Sequence, residues 1–185
     1  MNKQISFLFS SKSLSRSGDI VSFNVIASKA NVMTSHGIVF RENSFKPAIK
    51  ALKSKGRENL LMLFQHNDMM PIGGFPIDSI KEKNGDLTMK ANLNLAVEKG
   101  REVYALIQQG VLTDISVGVV FNSDDLEFDE KSDTIFVNAV EALVETSIVG
   151  SGSNPQATIT SFGTVSFQDL PVAPEDYEWD SISAI

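Results

Sequence analysis

An Asn-Gly pair at residues 84 and 85 constrains the fold of this chain more than any other local feature. The pair separates two segments of strand length, residues 75 to 83 and residues 86 to 93. Asn-Gly readily adopts the positive φ angles of a two-residue hairpin turn, so the two segments are predicted to pair as antiparallel strands. Because short connections recur elsewhere in the chain, the sheet as a whole is predicted to be mostly antiparallel.

Other stretches rich in branched and aromatic residues predict further strands. The run from Leu60 to Gln65 is apolar up to its last residue and too short for a helix, which favours a buried strand. The Pro- and Gly-containing residues 67 to 74 that follow are predicted to form a loop. The remaining predicted strands cover residues 19 to 27, 37 to 40 and 157 to 162.

Two segments alternate in polarity, as half-buried strands do. In residues 113 to 121 the branched and aromatic side chains share one face, and Ser116 lies on the other with Gly118. Residues 134 to 149 are predicted to form one long strand after an acidic turn at 123 to 133. Glu145 is predicted to point away from the more apolar side of that strand.

Two helices are predicted between the strands. Ser44 is placed to cap one that runs through Lys53, with Pro47 in its first turn. The second runs from Asn94, as its cap, to Gln109, with Gly110 suited to the left-handed position after the helix. The predicted fold class is therefore α+β and β-rich, a mostly antiparallel and partly closed β-barrel with flanking helices.

Length and composition predict one domain with a tail at each end. An apolar content of 42% over 185 residues can bury a full core. We assign residues 1 to 17 to a flexible N-terminal segment, 18 to 163 to the domain and 164 to 185 to an acidic tail. The net charge of −7 argues against nucleic acid as a partner. No signal peptide or membrane-spanning run is found.

The residue inventory narrows the chemistry that the chain can perform. Cysteine is absent, and no HExxH, P-loop or dinucleotide-binding glycine pattern occurs. No metal or other cofactor is predicted. A hydrolase built from this sequence would have to use Ser, Thr or carboxylate side chains. With only two histidines, a Ser-His mechanism must choose between His36 and His66 as the base.

Three segments, taken in order, resemble the prohead protease family of tailed bacteriophages. The first is Leu-Met-Leu-Phe-Gln-His ending at His66, followed by Pro-Ile-Gly at 71 to 73. The second is the Gly-x-Leu-x-x-x-Ser-x-Gly segment from Gly110 to Gly118. The third runs from residue 143 to 149 as Leu-Val-Glu-Thr-Ser-Ile-Val, with Asn-Pro-Gln-Ala at 154 to 157. The resemblance covers roughly residues 19 to 159.

This resemblance implies a serine endopeptidase with a fold similar to herpesvirus assemblin. It implies Ser116 as the nucleophile and His66 as the general base. Glu145 is favoured as the third member because it lies on the less apolar face of its strand and in the family-like segment, while Glu141 and Asp114 remain open alternatives. The loop from Gly150 to Ser153 is a candidate source of oxyanion-binding N–H groups.

The family role implies an enzyme inside the assembling prohead, in the host cytoplasm. Its expected substrates are scaffold, or the scaffolding segment of the major capsid protein precursor, and the protease itself. Self-association is also expected, with the helix from Asn94 to Gln109 as a candidate contact surface through Tyr104 and Leu106. The alternatives are a catalytically inactive assembly factor of the same fold and a hydrolase of small esters.

Overall fold

We describe residues 15 to 161 from a computed structural model of the chain, with side chains from residue 18 to 160. The predicted acidic tail therefore lies outside the described residues, as does most of the predicted N-terminal segment. The described part contains two α-helices, α1 (Lys46–Ser54) and α2 (Glu98–Gln108). Its strands are β1 (Ser15–Ser17), β2 (Ile20–Lys29), β3 (Ile38–Phe40), β4 (Asn59–Phe64), β5 (Asn67–Pro76), β6 (Lys81–Lys83), β7 (Asp86–Asn94), β8 (Asp114–Val120), β9 (Leu126–Asp129), β10 (Thr134–Val137), β11 (Ala142–Val149) and β12 (Thr158–Ser161).

Seven of these strands close into a barrel in the order β2, β12, β8, β11, β4, β5, β7 and back to β2. All pairings in this ring are antiparallel except that of β11 with β4. The predicted β-rich, mostly antiparallel barrel with flanking helices is thus confirmed. The barrel closes fully because the long strand β2 pairs with β12 on one side and with β7 on the other.

The predicted hairpin at Asn84-Gly85 connects β6 to β7. Both turn residues have positive φ, 53° for Asn84 and 81° for Gly85, as a type I′ turn requires. The segment before the turn is not one strand, because it contains the end of β5, a short 3₁₀ turn at Ile77–Ser79 and then β6. The turn was therefore predicted more accurately than the extent of the strand before it.

The loop predicted for residues 67 to 74 was wrong, because these residues lie in β5. Pro71 pairs with Leu63 between two register shifts in the β4–β5 ladder. Gly73 pairs with Leu93, and a Cβ atom at residue 73 would overlap the Asn92 carbonyl oxygen. The glycine thus permits β5 and β7 to approach closely, instead of breaking the strand.

The single long strand predicted for residues 134 to 149 was also wrong. It divides into β10, which belongs to a small second sheet with β3 and β9, and β11 in the barrel. Between them the backbone N–H groups of Asn138 and Val140 donate to the carbonyl oxygens of Asp125 and Ser44. These hydrogen bonds to residues far along the chain hold the segment between β10 and β11 outside both sheets.

The capping residues predicted for both helices were wrong. The residue before α1 is Phe45, and Ser44 makes no cap. Instead, Glu82 on β6 accepts the Phe45 N–H through Oε2 at 3.2 Å. Asn94 belongs to β7 and accepts the Ala96 N–H at 2.9 Å before α2 begins. Gly110, with φ of 71°, follows α2 as predicted.

The core fills the barrel and the space between the barrel and the two helices. From α2 it receives Val103 and Tyr104, both fully buried, together with Ile107. Leu106 is partly buried and packs against the same core. The two α2 residues proposed for self-association, Tyr104 and Leu106, therefore both pack on the barrel. Within the described part of the chain, neither helix is long and apolar enough to cross a membrane.

Candidate active site

His66 occupies a strained two-residue turn between β4 and β5. Gln65 and His66 have φ angles of 57° and 55°, a region that residues other than glycine seldom adopt. Two hydrogen bonds to β11 hold this turn in place. The Gln65 N–H donates to the Ile148 carbonyl at 3.1 Å, and the His66 N–H donates to Ser147 Oγ at 3.1 Å. These two hydrogen bonds hold the turn in its unfavourable backbone conformation and so fix the position of the His66 backbone, from which the imidazole extends.

Ser116 lies on the outer face of β8, opposite Ser147 on β11. Its neighbour Ile115 is fully buried in the core, whereas Ser116 is 8% exposed. The polar alternation of β8 thus directs this hydroxyl away from the core, as the sequence predicts. The pairing of β8, β11 and β4 brings Ser116 beside the turn that carries His66.

A continuous line of hydrogen bonds joins Ser116, His66 and Glu145. His66 Nε2 lies 2.8 Å from Ser116 Oγ, and Nδ1 lies 2.7 Å from Glu145 Oε1. Because a carboxylate only accepts, Nδ1 carries the proton and Nε2 accepts from the serine hydroxyl. The Glu145 side chain is 9% exposed and that of His66 is 44% exposed. The carboxylate is therefore shielded while the imidazole can be reached from solvent.

Ser147 connects the carboxylate to the histidine turn. Its hydroxyl donates to Glu145 Oε2 at 2.6 Å and accepts the His66 N–H. The side chain is fully buried, so both bonds are sheltered from water. No role for Ser147 was predicted. The available signal was its position two residues after Glu145, which places both side chains on one face of a strand.

A β-bulge in β11 sets the direction of the Glu145 side chain. The register with β8 shifts between Leu143 and Glu145, and Val144 is 56% exposed there. Leu143 packs in the core, contrary to the uninterrupted alternation predicted for this segment. The extra residue reverses the strand faces, so that Glu145 points outward after Leu143 has pointed inward.

Gly118 pairs with Glu145 across the β8–β11 ladder. A Cβ atom at residue 118 would overlap Glu145 Oε1 and crowd its carboxyl carbon. The missing side chain is therefore the space that the carboxylate occupies.

The alternative residues lie elsewhere. Glu141 is exposed just before β11, and His36 is exposed in the turn before β3. Asp114 is engaged with the loop that follows β11, where it accepts the Gly152 N–H at 3.0 Å. Of the three carboxylates considered from the sequence, Glu145 is the one that contacts His66. The proposed oxyanion role of the loop stays a prediction, with the Gly152 N–H already bonded to Asp114.

An open cavity of about 410 Å³ lies on the outer barrel face, over residues of β4, β5 and β7. One row of paired residues leads to it from Glu145, through the exposed Leu61 to Gly74. The cavity is lined by Ile20, Asn59, Pro71, Gly73, Gly74, Asn92, Asn94 and Val97.

Comparison with known proteins places the chain in a family. The family model for caudovirus prohead serine proteases matches residues 10 to 169. Among solved structures, the bacteriophage T4 capsid assembly protease gp21 is similar, with a TM-score of 0.53 and 14% identity. That match covers 69% of this chain and 81% of the T4 chain and supports a shared fold. No curated protein sequence matches significantly. From the family match over most of its length, the chain belongs to the caudovirus prohead serine proteases.

Proposed function

We propose that this protein is a capsid maturation endopeptidase in which Ser116 is the nucleophile, His66 the general base and Glu145 the group that orients and stabilises His66. The observation that carries the proposal is the unbroken hydrogen-bond line from Ser116 Oγ through His66 to Glu145. The family match supports peptide-bond hydrolysis as the reaction. The chemistry needs no cofactor.

In the acylation step, Ser116 Oγ bonds to the scissile carbonyl carbon while His66 Nε2 takes the hydroxyl proton. Glu145 stabilises the imidazolium that forms. His66 then donates that proton to the departing amine, which leaves an ester on Ser116. Water, deprotonated by His66, then attacks the ester carbonyl. The bond from that carbon to Ser116 Oγ breaks, His66 returns the proton to Oγ, and the acid product leaves.

The open outer face suits an extended polypeptide. His66 is accessible, and the row from Glu145 through Leu61 to Gly74 leads directly to the neighbouring cavity. Exposed apolar side chains flank the start of this path, with Val120 47% exposed and Val144 56% exposed. A substrate segment with apolar residues on both sides of its scissile bond would cover this surface.

We expect the substrates to be scaffold, or the scaffolding segment of the major capsid protein precursor, and the protease itself. Cleavage would take place inside the assembling prohead in the host cytoplasm. The similar T4 protein is a capsid assembly protease, which supports this setting. Self-association rests on the family resemblance alone, because Tyr104 and Leu106 pack on the barrel.

Cleavage of capsid precursor tests Ser116 as the proposed nucleophile. Purified capsid precursor is incubated with the wild-type chain, with Ser116→Ala and with Ser22→Ala. Ser22 is a matched control, since it is 7% exposed on β2 and donates to Asn92 Oδ1. We expect cleavage by the wild type and Ser22→Ala, and none by Ser116→Ala.

Labelling with a fluorophosphonate separates the alternatives. An inactive assembly factor would neither label at Ser116 nor cleave the precursor. A hydrolase of small esters would label and leave the precursor intact. Cleavage at the wild-type rate by a folded Ser116→Ala chain would remove Ser116 as the nucleophile.

A further inference from the structure

A row of lysines follows the exposed face of α1 and continues onto the neighbouring hairpin. Lys46, Lys50 and Lys53 are spaced as residues on one side of a helix are, and each is exposed. With Lys81, they border a groove of about 380 Å³ whose floor includes Ile49 and the buried Ile80. We refer to this as the lysine groove.

The lysine groove carries an excess of positive charge. In the described part of the chain, none of its four lysines lies in an ion pair, since the pairs there involve other basic residues. Its single acid is Glu82, whose Oε2 accepts the N–H of Phe45 at the start of α1. The groove is therefore positively charged, although the chain as a whole has a net charge of −7.

The described chain ends close to this groove. Thr160 on β12 lines a second cavity together with Ser79, Lys81 and Lys90. Lys81 borders both this cavity and the lysine groove. Beyond Ser161 the chain thus continues from a point beside Lys81 and Lys90, from which the basic surface leads toward α1.

The segment that follows has the complementary composition. Residues 162 to 185 include five of the 23 acidic residues and no Lys or Arg. Four of those acids fall in Glu-Asp-Tyr-Glu-Trp-Asp at 175 to 180, interleaved with two aromatic residues. Acidic groups could pair with the lysines while an aromatic ring covers the apolar floor between them.

We propose that the lysine groove is an intramolecular docking site for the acidic segment of residues 175 to 180. The 13 residues between Ser161 and Glu175 can span up to about 46 Å when extended, whereas the nine-residue α1 is only about 14 Å long. A tethered segment also has an effective concentration on the order of millimolar, so individually weak contacts suffice to keep the groove occupied.

Trp179 provides a direct test because it is the only tryptophan in the chain. Its emission wavelength and its quenching by acrylamide are measured in the full-length Ser116→Ala chain, with the intact mass checked so that the acidic segment is known to be present. A peptide of residues 162 to 185 gives the values for exposed Trp179. We expect the full chain to show blue-shifted emission and at least twofold slower quenching than the peptide.

Charge reversal locates the docking site. Lys50→Glu should return Trp179 to the peptide's values, whereas Lys131→Glu, an exposed lysine in the β9–β10 turn, should leave it protected. Asp176→Lys with Glu178→Lys should release Trp179, and adding Lys50→Glu with Lys53→Glu should protect it again. Raising the salt concentration from about 0.1 M to about 1 M should weaken protection, since the screening length falls from about 10 Å to about 3 Å.

Three outcomes would overturn the proposal. Trp179 could be as accessible in the full chain as in the peptide. Its protection could be unaffected by Lys50→Glu, which would place the segment elsewhere. Its protection could disappear on dilution, which would show that the segment docks on a second copy of the chain. None of these outcomes bears on Ser116, so the proposal stands or falls independently of the proposed catalysis.

Discussion

Gly118 lies directly opposite Glu145 on the paired strands β8 and β11, and the Glu145 carboxylate fills the space that a side chain at residue 118 would need. The strand that carries Ser116 therefore also determines where the carboxylate can lie. Since Glu145 Oε1 is also the atom that contacts His66, displacement of the carboxylate would change the position of the imidazole relative to Ser116.

We predict that Gly118→Ala lowers kcat by about a hundredfold, because misplacement of a reacting group by about 1 Å can cost that much. KM should change little, since the added methyl group contacts Glu145. Val120→Ala, an outward position two residues along the same strand and 47% exposed, is a control for kcat alone, because Val120 flanks the proposed substrate path and its truncation should act on KM. Unchanged kcat in a well-folded Gly118→Ala chain would show that Glu145 does not orient His66.

Ser147 and Thr146 allow a second test within two adjacent residues. Both are fully buried, but Ser147 bonds to Glu145 and His66 while Thr146 Oγ1 has no partner in the described part of the chain. Ser147→Ala should destabilise the fold by about 1–3 kcal/mol and lower kcat, because it leaves buried polar groups without a partner. Thr146→Val should retain activity and equal or exceed the wild type in stability. Urea unfolding with steady-state kinetics distinguishes the two.

The choice of base is tested by the two histidines of the chain. His66→Gln should reduce kcat/KM by about a thousandfold or more, since proton transfer at Ser116 is lost. His36→Gln should be indistinguishable from the wild type, because His36 is exposed in the turn before β3. Retained cleavage by His66→Gln together with loss in His36→Gln would reverse the assignment.

The fold was predictable where the signal lies within a few residues. Strands β2, β3, β4, β8 and β12 follow from branched and apolar runs, and the Asn84-Gly85 turn from its own backbone preference. What could not be read locally was set by partners far along the chain. Gly73 lies in a strand because β7 approaches it closely, and the break between β10 and β11 depends on backbone contacts to Ser44 and Asp125.

The site was only partly readable for the same reason. Resemblance to a family singled out His66, Ser116 and Glu145, and the structure brings the three side chains together. Ser147 was missed because its partners are defined by the pairing of β11 with both neighbours and by the strained turn at His66. The β-bulge that directs Glu145 outward leaves no clear mark in the sequence, where Leu143 and Glu145 look like neighbours on one face.

Glu82 should make stability depend on pH. Burial raises the pKa of the Glu82 carboxyl, and this outweighs the backbone N–H groups of residues 43, 45 and 46 and the charge of Lys46, which lower it. A raised pKa means that Glu82 favours the folded state most when protonated, and this contribution is lost as pH rises through its folded pKa. Glu82→Gln should therefore raise the Tm at pH 7 relative to wild type, and the difference should shrink toward pH 4.

Glu141→Gln, which removes one exposed charge just before β11, controls for the change in net charge alone. If Glu82→Gln lowered the Tm at pH 7, the hydrogen bonds to the start of α1 would outweigh the cost of burying the charge.

Activity should depend on enzyme concentration. A protease synthesised alongside its own substrates has to remain inactive until the shell has assembled around them. Activation by pairing of protomers would meet that need, since mass action makes pairing sensitive to concentration. The apolar residues of α2 pack on the barrel, so the interface should involve exposed apolar residues elsewhere, such as Phe128 at 57% or Val111 at 60% exposure. Specific activity should rise with protein concentration, in step with the dimer fraction measured by sedimentation.

Two variants, Phe128→Ser and Val111→Ser, identify the pairing surface. The variant that abolishes the rise in specific activity carries a residue of that surface. A constant specific activity across a hundredfold dilution of a monomeric protein would instead assign control to self-cleavage or to the presentation of substrate.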